Sequence, residues 1–147
     1  MLKQFSSIEI DDNLLEGKSY YFEEVIIMGS LIKEVESSGQ SLFILDEVFK
    51  GTNTIERIAS AKAILSYLNK NNNIVIVSTH DIELSEMLAQ EYDLYHFTDT
   101  IENEQLHFDH KIKAGKLKTR NAIKILELSN YPAEIISEAK NLSITLS

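Results

Sequence analysis

Cysteine is absent from the 147-residue chain, proline occurs once and glycine five times. Without thiols there is neither a disulfide framework nor a thiolate zinc site, which fits a reducing cytoplasm. So little proline and glycine excludes a collagen-like, linker-like or low-complexity chain. Long apolar runs are missing as well. None exceeds stretches such as Leu42–Leu45, far short of the roughly 20 residues that span a bilayer. Met1–Ser7 lacks the basic-then-apolar pattern of a secretion signal. The expectation is a cytoplasmic protein with no membrane partner. Positive charge is scarce too, 14 Lys and Arg against 23 Asp and Glu, a net charge of −9. An acidic surface repels phosphate backbones, so self-sufficient binding of nucleic acid is not expected. What is there, 44% hydrophobic residues in a chain of single-domain length, is enough to build a core.

The apolar residues are organised. Ser41–Leu45 and the β-branched Ile74–Val77 read as buried strands. Between them Ile55, Ile58, Ala61, Leu65 and Leu68 recur at three- and four-residue steps, one face of a helix whose other face carries Glu56, Arg57, Lys62 and Asn69. Strand, helix, strand at this spacing predicts a βαβ unit with parallel strands and a right-handed crossover, hence an α/β fold. Upstream, Phe22, Val25, Ile26, Gly29 and Ile32 mark a helix over 20–36, with Ser19 as N-cap and Glu23 and Glu24 in the first turn. Downstream, 82–90 reads as a helix, and 95–101 and 105–112 as two strands around the turn Glu102-Asn103-Glu104. The tail is helical again. Ile123 and Leu126 share one face, Pro132 stands at a first helical position, and Ile135, Ile136, Ala139 and Leu142 repeat at helical spacing. Tyr131, just before the proline, is held out of the α region, so a sharp corner separates two helices.

Chemistry concentrates at two strand ends. Leu42-Phe43-Ile44-Leu45-Asp46-Glu47 is an apolar strand tipped with two carboxylates, and open α/β sheets bind ligands at that edge. In a nucleotide site the first acid holds the magnesium shell and the second polarises the attacking water. Taken alone, the pattern serves equally well as a strand running into a solvated acidic turn. The next strand ends Val77-Ser78-Thr79-His80, which brings His80 to the same edge, where an imidazole can donate to a phosphate oxygen. His107 and His110 on one strand point to opposite faces and lack a third ligand, so they are read as surface residues. Lys111, Lys113, Lys116, Lys118 and Arg120 form the single basic cluster, read as a solvated turn. No Ser/His/Asp or Cys/His nucleophile can be assembled.

Taken in order, Leu45-Asp46-Glu47, Gly51-Thr52-Asn53-Thr54 and Ser78-Thr79-His80 resemble the MutS branch of the ABC-type ATPases, whose strand ends in DE and is followed by a G-T-[SN]-T loop and a [ST]-T-H switch. Asp11–Ser19 resembles that family's signature segment. Phe108-Asp109-His110-Lys111-Ile112 with Gly115 resembles its aromatic-x-x-Lys-apolar strand and turn, and Asn121–Ala139 its closing helix pair with the Tyr131-Pro132 corner. The run Phe49–Arg57 is closer to divergent MutS-related proteins than to the housekeeping repair protein. The resemblance implies a P-loop-type core over 1–118 with parallel strands and a β-hairpin, and a helix pair over 119–147 that dimerises. It implies ATP and Mg²⁺ as cofactors and ATP-driven DNA mismatch repair or a related DNA transaction as the function. Asp46 would hold Mg²⁺ through water, Glu47 would orient the hydrolytic water and His80 would sense the γ-phosphate. Ser19 would cap the nucleotide of the other subunit, and Gly51, Thr52 and Asn53 would form a loop at the nucleotide and the dimer partner. The implied partners are a second copy or a full-length MutS-like protein, with DNA reached through domains outside these residues.

One family element is missing. A G-x-x-x-x-G-K-[ST] phosphate loop would precede these motifs, and at Gly17-Lys18-Ser19 the first glycine is replaced by Asp12, an acid that repels phosphates, with no apolar strand leading in. The chain therefore reads as the C-terminal half of an ATPase, inactive alone. Two other readings stay open: a non-catalytic module that pairs with a full-length relative and donates Ser19 in trans, and an ATPase of another ABC branch such as the SMC proteins. The latter would share Asp46, Glu47 and His80 but not the G-T-N-T run or the Tyr-Pro corner.

Overall fold

The computed structural model describes residues 3–7, 20–37, 40–70, 72–102, 105–117 and 121–146. They fall into two units, Met1–Asp93 and Leu94–Ser147.

The first unit is α/β. In chain order it contains β1 (Lys3–Ser7), α1 (Tyr20–Ser37), β2 (Ser41–Asp46), α2 (Thr54–Leu68), β3 (Ile74–Ser78) and α3 (Ile82–Leu88). The three strands form a parallel sheet in the order β1-β2-β3, with Phe5 opposite Phe43 and Phe43 opposite Val75. Strand β1 has no counterpart among the expected elements. Its sequence, Lys-Gln-Phe-Ser-Ser, has one large apolar residue, and Phe5 anchors it by stacking on Phe43 with ring centroids 5.5 Å apart. A polar edge strand of this kind is held by its ladder partner rather than by its own propensity.

On β2, Ser41, Phe43 and Leu45 are buried while Leu42, Ile44 and Asp46 are half-buried. The buried face packs on Met28, Leu31 and Val35 of α1, Ala61, Leu65 and Leu68 of α2, and Leu84 and Leu88 of α3. The expectation that both strands are buried throughout is corrected by the other face. There Ile74 and Ile76 of β3 are exposed, in register with Leu42 and Ile44. All three helices contribute to the core on one side, so the apolar run of β3 has half its residues in solvent.

Side chains of the polar connections close the unit. Asn73 accepts from the Ser41 amide at 3.0 Å and donates to the carbonyls of Leu68 and Lys70, joining the end of α2 to the start of β2. Tyr92 donates its hydroxyl to the Leu65 carbonyl at 2.7 Å, and burial pushes the phenol well above its usual range. Helix α3 ends at Leu88, two residues earlier than its periodicity predicts, in a turn where the amides of Glu91 and Tyr92 both donate to the Leu88 carbonyl. The expected N-cap, Ser19, lies outside the described residues.

The second unit contains β4 (Tyr95–His96), β5 (Asp99–Glu102), β6 (Gln105–Phe108), β7 (Lys113–Ala114), α4 (Ala122–Leu128) and α5 (Ala133–Thr145). Strands β5 and β6 pair antiparallel, whereas β4 pairs with β7. The strand expected over 95–101 is therefore two strands, and the one expected over 105–112 stops at Phe108. His110 turns the chain with φ +51 and stacks on Phe108, so it does not share a strand with His107. Asn103, Glu104, Lys118 and Arg120 lie outside the described residues, and Lys113 pairs with Asp109 at 2.8 Å. Pro132 is the cap of α5 rather than its first residue. Among the described residues no helix is long and apolar enough to cross a membrane.

Helices α4 and α5 are tied by Glu127, which accepts from Lys124 and Lys140. These two hydrogen bonds hold the Glu127 carboxyl down at about 2. A depressed carboxylate adds stability above its unfolded value, near 4.3, that disappears as pH falls through the folded one. The α4–α5 pairing is thus expected to weaken between about pH 4.5 and pH 2. Helical content followed by circular dichroism should show this acid step, and Glu127→Gln should remove it.

Candidate functional site

Parallel strands bring their carboxyl ends to one edge, and here the pairing of Asp46 with Ser78 closes both strands at the same level. The Ser78 hydroxyl donates to Asp46 Oδ1. One residue further the Glu47 amide donates to the Ser78 carbonyl at 3.1 Å, which prolongs the ladder into the loop. The His80 Nε2 stands 3.3 Å from Glu47 Oε1. Glu47 is largely enclosed, its side chain 15% exposed, while that of His80 is 94% exposed. An enclosed acid beside an open imidazole leaves room for a ligand on the solvent side.

The loop after β2 is held in an unusual shape. Glu47 and Phe49 adopt φ +51 and +64, the left-handed region that non-glycine side chains rarely occupy. Phe49 is buried with its ring edge-on to Tyr21, centroids 5.8 Å apart. Glu24 of α1 accepts from the amides of Lys50 and Gly51 at 3.1 and 3.2 Å. Gly51 is needed for space, since a Cβ there would stand 2.7 Å from the Tyr21 amide nitrogen. Asn53 then caps α2. Its Oδ1 accepts from the Glu56 amide at 3.0 Å, and the Glu56 carboxylate takes bonds from Asn53 and Thr52. The loop Gly51-Thr52-Asn53 is thus shaped by a close approach followed by a side-chain N-cap.

Sequence reasoning missed three residues of this neighbourhood. Arg57, taken as part of a solvated helix face, makes two bonds to the Asp81 carboxylate, Nε to Oδ2 at 2.9 Å and Nη2 to Oδ1 at 2.7 Å. Those bonds hold the guanidinium above its ordinary value against partial burial, with the charges of Asp81 and Glu47 adding to them. Asp81, whose amide donates to Thr79 Oγ1, begins α3 and follows His80 directly. The pair pins the turn that carries the histidine. Removing Arg57 leaves a carboxylate that is 14% exposed without its partner, so Arg57→Ala is expected to cost about 1.5–3 kcal/mol. Urea unfolding checks this, and Arg57→Ala/Asp81→Ala should cost less than the two single changes added together. The third residue is Glu24, expected in the first turn of its helix for the macrodipole and found 4% exposed. Its signal was present: residues 24, 28, 31 and 35 fall on one helical stripe, and an acid on an apolar stripe demands a buried partner.

Among the described residues no group of three or more His, Asp or Glu could hold a metal by itself. Magnesium does not need one, since it binds through one or two carboxylates, with waters and substrate phosphates completing its shell. Asp46 with the adjacent Ser78 hydroxyl is a hard-oxygen donor set of that kind. Thus Asp46, Glu47 and His80 come together at one edge, the loop 51–53 follows directly, and Ser19 lies outside the described residues.

A parallel β-sheet module offering acids, hydroxyl and imidazole at its carboxyl edge is of the α/β ligand-binding class. The chain matches the family MutS domain V over residues 1–147, and it belongs to that family. This decides for the MutS branch over the SMC branch. The DNA mismatch repair protein MutS of Finegoldia magna is 32% identical over 143 residues, 95% of this chain and 16% of that protein. The MutS proteins of Aquifex pyrophilus and of Orientia tsutsugamushi strain Ikeda are 30% identical over 141 residues and 31% over 147, covering 94% and 98% of this chain. The chain spans about 16% of the length of each of these relatives.

Proposed function

We propose that this chain supplies the catalytic strand tips of a MutS-type ATPase domain, working with a phosphate loop that its 147 residues do not contain, and that it serves DNA mismatch repair. The observation that carries the reading is the meeting of Asp46, Glu47 and His80 at one sheet edge in a member of this family. Magnesium, when bound with ATP, would supply charge neutralisation at the phosphates. Asp46 would hold its shell through water, Glu47 would orient and polarise the attacking water, and His80 would sense the γ-phosphate by donating to it. Gly51, Thr52 and Asn53 form the loop that faces the nucleotide and a partner subunit, and Ser19 reaches the nucleotide of that partner. DNA is engaged by other parts of a longer protein.

The open sheet face supports a larger P-loop-type core. Parallel sheets are normally covered on both faces, and on the face away from the core cluster Ile74 and Ile76 are exposed and Leu42 and Ile44 half-buried. A non-catalytic pairing role is the second reading, favoured by the exposed Ile135, Leu142 and Ile144 of α5, an apolar surface suited to a second copy or a MutS-like partner.

Titration of Mg-ATP into the chain tests the first reading. Alone it should bind no tighter than about 1 mM, roughly 4 kcal/mol, because a phosphate loop supplies most of the phosphate contacts. Fused to a MutS-family segment that carries a G-x-x-x-x-G-K-[ST] loop, it should bind and hydrolyse ATP. Micromolar binding with turnover by the chain alone, or a folded fusion that binds no Mg-ATP, would overturn it.

A further inference from the structure

We propose that Glu24 is a positioning residue that holds the loop carrying Glu47 in its working shape. The proposal rests on the role given to Glu47 above, but its geometry is independent of any nucleotide. Three contacts fasten the loop to the first turns of α1. Both oxygens of Glu24 are used, one on the Lys50 amide and one on the Gly51 amide. The Gly51 backbone lies against the Tyr21 backbone, too close for any side chain. The buried Phe49 ring meets the Tyr21 ring.

The loop needs such fastening because its backbone is strained. Non-glycine residues at positive φ persist only where their surroundings over-determine them, and Glu47 and Phe49 are both in that state. Glu47 also has few fixed points of its own, the hydrogen bond its N–H donates to the Ser78 carbonyl and the approach of His80. Two convergent N–H groups three and four residues downstream are a small anion-binding nest, and Glu24 fills it from within the fold. An acid buried at 4% exposure is not placed on an apolar stripe for solubility. Releasing the two amides lets Phe49 and Glu47 relax toward ordinary φ values, which swings the Glu47 carboxylate away from the strand tip. Coupling runs from the start of α1 to the catalytic edge through the Glu24 carboxylate, with Tyr21 packed beside it.

Glu24→Gln is the discriminating change. It keeps the shape and one acceptor but turns the other oxygen into an N–H₂ donor facing an N–H donor. Nitrogen-15-labelled chains of all 147 residues, wild type and variant, are compared by amide exchange and by the scalar couplings that report φ. In Glu24→Gln the Lys50 and Gly51 amides should exchange at least ~10-fold faster, as in local opening. The couplings of Glu47 and Phe49 should lose their positive-φ signature, while the Phe43 and Leu65 amides stay protected as in wild type. Unchanged exchange and couplings in the loop would overturn the proposal. So would equal acceleration at Phe43 and Leu65, since Glu24 would then hold the fold rather than the loop. If Glu24→Gln does not fold, Glu24→Asp decides, retaining the charge one methylene short. Loss of protection at one or both loop amides supports the proposal, and wild-type protection or failure of both variants to fold rejects it. No ATP enters this experiment, so its outcome and that of the fusion test stand apart.

Discussion

Glu47→Gln, made in the fusion with a phosphate-loop part, is expected to lower ATP turnover by at least ~10²-fold and leave Mg-ATP affinity nearly unchanged. Glutamine keeps the size of the side chain and its place beside His80, whose Nε2 stands 3.3 Å from the wild-type carboxylate, but it cannot take a proton from water. Glu47 is largely enclosed and set beside the strand tip, so a solvent molecule cannot easily substitute for it. Asp46→Asn should behave differently, because Asp46 is the candidate metal ligand and its Oδ1 already accepts from Ser78. There the requirement for Mg²⁺ should rise together with the loss of turnover. Steady-state kinetics across a range of Mg²⁺ concentrations separates the two patterns. Wild-type turnover by the Glu47→Gln fusion would remove Glu47 from the catalytic role.

Phe43→Ala is expected to destabilise the first unit by about 3–5 kcal/mol, the range for truncating a buried aromatic. Phe43 is fully buried at the middle of the central strand, stacked on Phe5 and in register with Val75. Its loss opens a cavity that strands on either side cannot collapse into without breaking their ladder. Since domains are stable by only about 5–15 kcal/mol, this single change removes a large share of the total. Phe43→Leu, which keeps most of the volume, should cost less, about 1.5 kcal/mol or under. Ile76→Ala is the contrast. Ile76 lies on the same sheet but 57% exposed, so its truncation in the 147-residue chain should stay within about 0.5 kcal/mol. Urea unfolding of the three variants measures all of this. Equal costs for Phe43 and Ile76 would mean that the sheet is covered on both faces.

Local chemistry by itself determined much of this protein. Two apolar runs around a helical stripe were enough to call for parallel strands, and their termini at Asp46-Glu47 and Ser78-Thr79-His80 marked the edge where the chemistry collects. These features are legible because a strand's direction and a helix's apolar face are encoded within a few neighbouring residues. The tertiary structure decided what depends on distant partners. It made a strand of Lys3–Ser7, whose own residues argue weakly for one, because Phe43 was there to stack on Phe5. It left Ile74 and Ile76 in solvent although their sequence looks buried, because the helices of the first unit pack on the opposite face. It broke the expected long strands at 95–101 and 105–112 where β4 pairs with β7 instead. And it made Arg57, which its helix pattern places on a solvated face, together with Glu24 and Asp81, into bonded supports of the site. A charged side chain looks the same in sequence whether it meets water or a buried partner. The partner of Glu24 is 26 residues away and that of Arg57 is 24, and only the folded backbone brings them within reach.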